Sequence, residues 1–198
     1  TDSVKLSLTH QLRNLLNKQQ FHNEGEIFDI LSTSKLEPST IASVVKIYLL
    51  ELPDPLIPND VSDILRMLYL DYPPLVETAL QNSTSSPENQ RDDDNEEGFD
   101  TKRIRGLYTT LSSLSKPHIA TLDAITTHFY RLIKILKMGE NGNEVADEFT
   151  VSISQEFANC IIQSKITDDN EIGFKIFYDL LTHKKQIFHE LKRQNSKN

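Results

Sequence analysis

Residues 41–58 read IASVVKIYLLELPDPLIP, an apolar helical stripe that runs into a proline-stiffened turn. Ile41, Val44, Val45, Tyr48, Leu49 and Leu52 fall at i, i+3, i+4, i+7, i+8 and i+11, one face of a helix. Pro38, Ser39 and Thr40 precede the stripe and suit a helix start. Pro53 cannot continue the helix, and a residue before a proline is pushed towards extended backbone. Leu52 to Pro58 is therefore expected to be a rigid extended segment that holds Leu56 and Ile57 against a core. Lys46, Leu50 and Glu51 fall off the seam, where a surface could use them.

The composition around this stretch is that of one globular domain. Of 198 residues, 37% are hydrophobic and 25% charged, with no Trp and only 6 Gly. A formal charge of −8 argues against a nucleic-acid binder, which needs a basic face. The lone Cys160 excludes an internal disulfide framework and fits a reducing compartment. No signal peptide or apolar run of transmembrane length is visible. The sequence begins at Thr1 rather than Met, and the expectation is a piece of a larger protein.

Upstream, Val4, Leu8, Leu12, Leu15 and Leu16 predict a helix over Val4–Lys18. Glu26 to Leu31 could be a helical turn or extended. Downstream, Asn59 or Asp60 can cap a helix carrying Ile64, Leu65, Leu68 and Tyr69, which Pro73-Pro74 ends. Leu75 to Leu80 suggests another turn or two. Residues 81–101 contain almost nothing apolar and read as a disordered acidic insertion within the domain. Helical period resumes over Lys102–Leu114. Ser115 then caps a long helix with Pro117 in its first turn and Ile119, Leu122, Ile125, Phe129, Leu132, Ile133 and Leu136 as its seam. Met138 to Thr150 reads as a loop, Val151 to Ile162 as a helix, and Glu171 to Lys192 as one last helix. No strand-like alternation recurs, so the fold class is all-α.

The same residues carry a family resemblance. Val44-Val45-Lys46, Tyr48-Leu49, Glu51-Leu52-Pro53-Asp54-Pro55-Leu56 resembles the signature of the RhoGAP domain, the helical module that activates Rho-family GTPases. Only Leu50 departs, where the family usually has Arg. Leu114 to Leu122 and His128 to Leu132 resemble a second family helix, with His118 at its usual Asn. Glu156-Phe157-Ala158 stands where the family has Asn-Leu-Ala, and Gln163 where it has Pro. The resemblance implies a RhoGAP-like multi-helix bundle spanning 1–198 with Tyr48, Leu52, Pro53, Pro55 and Leu56 as its structural signature. The Asn-, Ser- and Lys-rich composition is similar to that of fungal multidomain members.

Members of that family act by inserting an Arg into the GTPase active site, where it neutralises charge on the transferring phosphoryl group. Glu26-Ile27-Phe28-Asp29 resembles the family's Gly-Ile-Phe-Arg finger and would put Asp29 in place of Arg. Spacing argues against that register, because the family fits a full helix and a loop between finger and signature. The segment Val4–Lys18 is that helix, so the finger is expected just before Thr1. Arg13 lies mid-helix and is a poor finger. The resemblance implies GTPase contact by Lys46, which on its residues alone reads as a solvated helix-face Lys, by Leu50, and by Glu156 and Asn159.

Other chemistry is hard to find. The six His residues do not pair at i, i+4 as zinc ligands, and Cys160 has no partner Cys, so no metal site is expected. His128 reads as a packed or half-buried structural His, Cys160 as a buried small hydrophobe, and the Lys-rich end after Lys184 as a solvated helix face. No glycine-rich phosphate loop is present, and no cofactor is expected.

Two functions follow from the resemblance. In one, the domain binds a GTP-loaded Rho-family GTPase and stimulates hydrolysis that its partner performs, so it is an activator and not an enzyme. In the other, a catalytically inactive scaffold binds the GTPase without activating it. The expected setting is cytoplasmic, with recruitment to the plasma membrane or cytoskeleton left to other domains.

Overall fold

A computed structural model describes residues 2–18, 24–33, 38–74, 93–162 and 169–195. Among them every regular element is an α-helix, as the apolar periods predict. The expected turns at 75–80, the first part of the acidic insertion and Gln163 lie outside the described residues. The chain divides into two compact units, Thr1–Pro53 and Asp54–Asn198.

In the first unit, α1 (Asp2–Lys18) packs on α3 (Pro38–Leu50), with α2 (Glu24–Thr33) between them in sequence. The short Glu26 segment is thus helical. Leu12 and Thr9 are buried on α1. Arg13 crosses to α3's end, its Nη1 donating to Glu51 Oε1 while Nε and Nη2 donate to Asn14 Oδ1 at 3.3 and 3.1 Å. Pro38 opens α3, where its missing N–H costs nothing, and Glu51 N–H closes the last turn on Ile47 O at 2.9 Å. The buried side chains of α3 are not the single stripe expected. Val44 and Leu49 lie about 140° apart at 100° per residue, so the helix is buried on two sides. Tyr48 falls between them and is 56% exposed.

In the second unit, α4 (Asn59–Asp71), α5 (Asp93–Leu111), α6 (Lys116–Leu136), α7 (Gly142–Ile161), α8 (Asp169–Thr182) and α9 (Lys184–Asn195) share one core. Pro58, not Asn59 or Asp60, holds the N-cap position of α4 in extended backbone. On α4, Leu65 and Tyr69 are buried as expected, but Ile64 is exposed. Helix α5 starts at Asp93, inside the stretch read as disordered. The helix is fixed there by contacts that the local composition does not show: Phe99 lies 5.8 Å from the Tyr72 ring, and Asp100 accepts from Arg103 one turn on. Ser115 caps α6 by position, while its hydroxyl bonds His118 Nδ1 at 2.6 Å.

Helix α7 also starts earlier than expected, at Gly142 rather than Val151. Only residues 137–141 form the turn, and Asn141 takes the left-handed conformation there (φ 54°), which Asn tolerates better than most residues. Its inner side was illegible because it is not aliphatic. Gly142, Ala146, Thr150, Ser154 and Ala158 recur at i+4 and are all buried. Thr150 and Ser154 satisfy their hydroxyls on the carbonyls of Ala146 and Thr150, at 2.7 and 2.6 Å, so they pack as small apolar residues would. Small side chains let a neighbouring helix approach closely. A Cβ at Gly173 of α8 would sit 2.5 Å from the carbonyl oxygen of Ala158. Next to this crossing, Phe157 and Phe177 stack at 5.6 Å and Phe129 meets both edge-on, at 5.0 and 6.1 Å.

The last expected helix is two. The chain breaks at His183, between buried polar anchors on either side. Before it, Asp179 accepts from Arg103 Nε at 2.8 Å and Nη2 at 3.3 Å, and from Tyr69 Oη at 2.7 Å, joining α8 to α5 and α4. After it, Lys184 donates to the Asp123 carboxylate and to its carbonyl at 3.2 Å, and lies 3.4 Å above the Phe188 ring. Lys184 is therefore buried rather than solvated. His128, expected to be packed, is exposed, with Phe129 edge-on at 5.4 Å.

Two results would check this packing. Gly173→Ala forces a Cβ onto backbone that cannot yield, and should cost about 1–3 kcal/mol in urea unfolding. Gly98→Ala on α5 meets nothing within 4 Å and should stabilise by about 0.5–1 kcal/mol through helix propensity. The buried ionic cluster makes a second test. Arg103→Met and Asp179→Leu should each cost about 3–5 kcal/mol by stranding the other charge. The triple variant Tyr69→Phe, Arg103→Met, Asp179→Leu removes the whole cluster and should lose less than either single change.

Candidate functional site

The proline turn divides the signature into residues that hold the fold and residues that are presented. Leu56 and Ile57 are 1% and 0% exposed. Leu52 and Pro55 are half-buried, Pro53 and Asp54 exposed. Three of the seven residues from Leu52 to Pro58 are prolines and have no N–H to satisfy. The N–H of Ile57 goes to the carbonyl of Ile161 at 2.9 Å, one of the orphan acceptors in the last turn of α7. The turn and the end of α7 therefore satisfy one another.

The candidate contact residues lie on two helices, in different units. On α3, Lys46 is half-buried, while Tyr48 and Leu50 are exposed at 56% and 48%. Tyr48, read as part of the core, thus joins the presented residues. Its phenol was a usable signal, since a Tyr at the edge of an apolar face often keeps its hydroxyl in water. On α7, Glu156 and Asn159 are exposed one turn apart, while Phe157, Ala158, Cys160 and Ile161 beside them are buried. Each pair is held from behind, Glu51 by Arg13 after α3, and α7 by Gly173 and Ile57. Cys160 is buried as expected.

Electrostatics separates structure from chemistry here. Burial, then Asp179, push the Tyr69 hydroxyl well above the usual phenol range. Burial pulls Arg103 down, but its bonds to Asp179 and Asp100 outweigh it and leave the guanidinium raised. Burial likewise opposes the Asp123 carboxylate, and Lys184 and Lys192 outweigh it, so that Asp123 is lowered. Lys184 is lowered by burial against the pull of Asp123. Perturbed groups often mark active sites. In this case each is locked into an ion pair inside the core, with Tyr69, Arg103 and Asp179 hardly exposed, and the role is structural. Arg13, the sole arginine of residues 1–53, is likewise engaged by Glu51 and Asn14. Among the described residues, no group of three or more His, Cys, Asp or Glu could hold a metal ion.

Comparison with known proteins agrees with this division. The RhoGAP domain family matches residues 7–142. The chain is 99% identical over its whole length to a Rho-GTPase-activating protein of Saccharomyces cerevisiae, RGD2, and covers 28% of that protein. It is 30% identical over 195 residues to Rho-GTPase-activating protein 8 of Schizosaccharomyces pombe, covering 96% of this chain and 20% of that one. The chain thus spans under a third of the length of these relatives. A crystal structure of the BH domain from GRAF, the GTPase regulator associated with focal adhesion kinase, aligns with a TM-score of 0.51 and 14% identity, covering 94% of this chain and 96% of that one. That likeness is one of fold.

The two parts of the signature should respond differently to substitution. Leu56→Ala empties a sealed position and should cost about 2–5 kcal/mol in thermal or urea unfolding. Tyr48→Ser at the exposed position should change stability by no more than about 0.5 kcal/mol.

Proposed function

The chain belongs to the RhoGAP domain family, and from that premise we propose that it binds a GTP-loaded Rho-family small GTPase and stimulates the hydrolysis which that partner performs. The observation that carries this reading is the division of the signature, in which Leu56 and Ile57 anchor the turn while α3 presents Tyr48 and Leu50 beside Lys46. A binding surface needs such a frame behind it, because a shift of about 1 Å in a positioned group can cost about 10²-fold in rate. The names of the two fungal relatives support the same activity.

The partner supplies nucleotide, Mg²⁺ and attacking water, and the domain supplies an arginine and the surface that seats it. We assign that arginine to the segment leading into Thr1, since Arg13 is bound to Glu51 and Asn14. Lys46 and Leu50 on α3, and Glu156 and Asn159 on α7, form the contact set. The domain acts as a regulator on the cytoplasmic side, and attachment to membrane or cytoskeleton belongs to other parts of the full protein. Among the described residues, no helix is long and apolar enough to cross a membrane.

The test is single-turnover GTP hydrolysis by a panel of Rho-family GTPases, with the protein extended upstream of Thr1. The expected acceleration is about 10³–10⁵-fold for at least one member, abolished when the upstream arginine is replaced by Ala. Binding of the GTP form without acceleration would overturn activation and leave a scaffold.

A further inference from the structure

Helix α4 carries an apolar face that the proposed function does not use. Its buried side holds Val61, Ser62, Leu65 and Tyr69 and packs on α5 and α8. On its opposite side Ile64, Met67 and Leu70 are 58%, 60% and 67% exposed. Single exposed apolar residues are ordinary, but three large ones at successive i+3 positions form a patch that marks an interaction surface. Asp60, Asp63 and Asp71 are exposed among them. The one cation of α4, Arg66, bonds Asp63 at 2.8 Å, so the face keeps a negative balance.

We propose that this face docks a basic amphipathic helix of another protein. Its apolar stripe would lie along Ile64, Met67 and Leu70, and its Lys or Arg side chains would reach Asp60, Asp63 and Asp71. Charge selects this occupant over the alternatives. A second copy of this chain, paired face to face about a two-fold axis, would bring the same carboxylates against one another. An anionic lipid surface would be repelled by them. A cationic helix instead gains from every carboxylate, at a range that salt screens. The packing is ordinary helix on helix, with ridges of one seated in grooves of the other.

The probe is a fluorescently labelled amphipathic peptide of Leu and Lys, long enough to be helical, titrated against the whole chain and followed by anisotropy. The expected Kd is micromolar and rises with added salt. Ile64→Ser, Met67→Ser, Leu70→Ser in one chain should weaken binding by about tenfold or more. Asp60→Asn, Asp63→Asn, Asp71→Asn should also weaken it, while neutralising Glu140, Glu144 and Asp147 at the start of α7 should not. All the substituted side chains are exposed, so the variants are expected to fold, and their melting checks this. Equal binding by a Leu/Glu peptide, or equal loss on neutralising the α7 carboxylates, would overturn the proposal. Self-association lost in the triple-serine chain would overturn it in favour of a homodimer, and capture by phosphatidylserine-containing vesicles in favour of a membrane. If the triple-serine chain loses its stimulation of a GTPase, the face belongs to the GTPase contact and the proposal also fails. The peptide titration needs no GTPase, so its result does not depend on the activity proposed above.

Discussion

The ion pair between Arg103 and Asp179, with Tyr69 donating to the same carboxylate, sits where α4, α5 and α8 meet. A buried pair of this kind adds little net stability, because the cost of desolvating two charges nearly cancels their attraction. What it contributes is register. Arg103 Nε and Nη2 and the Tyr69 hydroxyl all converge on one carboxylate, and a slip of any helix along its neighbour would leave a charge unpaired inside the core. From Asp179 the constraint passes along α8 to Gly173, whose missing side chain lets α8 press on Ala158. Ala158 fixes the end of α7, and Ile161 there receives the N–H of Ile57. The position of the signature turn is thus set by a buried carboxylate more than a hundred residues downstream.

The sequence disclosed some of this chain of constraint and hid the rest, for physical reasons. The turn was legible because prolines restrict backbone locally and Leu56-Ile57 had nowhere else to go. The helical class was legible because aliphatic residues recur with helical period on α1, α4, α6 and α8. The first half of α7 was not, because its inner ridge is Gly, Ala, Thr and Ser, residue types that also make loops. Their burial depends on a neighbour coming close, which no local window contains. The start of α5 was hidden for a related reason, since Phe99 and Asp100 are held by Tyr72 and Arg103 and not by their own composition. The Arg103–Asp179 pair spans 76 residues and has no local signature at all.

For the candidate site, the sequence correctly singled out α3 and the end of α7 as places where polar residues stand on a supported surface. Its error was Tyr48, which shares the helical period of the seam and yet faces out. Period alone cannot distinguish one buried side from two, and α3 has two. Moving Tyr48 from frame to surface strengthens the functional reading, because it adds an aromatic to an exposed stretch that already holds Leu50 and Lys46. Aromatic anchors of this kind commonly dominate binding energy at protein interfaces.

The central claim is that these helices form a rigid frame presenting α3 and α7 to a GTPase in its GTP state. It is tested most directly by measuring the affinity of the chain for Rho-family GTPases loaded with a non-hydrolysable GTP analogue and with GDP. The account predicts tighter binding of the GTP-analogue form for at least one member. Lys46→Ala should weaken that binding by about tenfold or more without moving the melting temperature. Indifference to the bound nucleotide across the whole family, or full affinity in the Lys46→Ala chain, would contradict it.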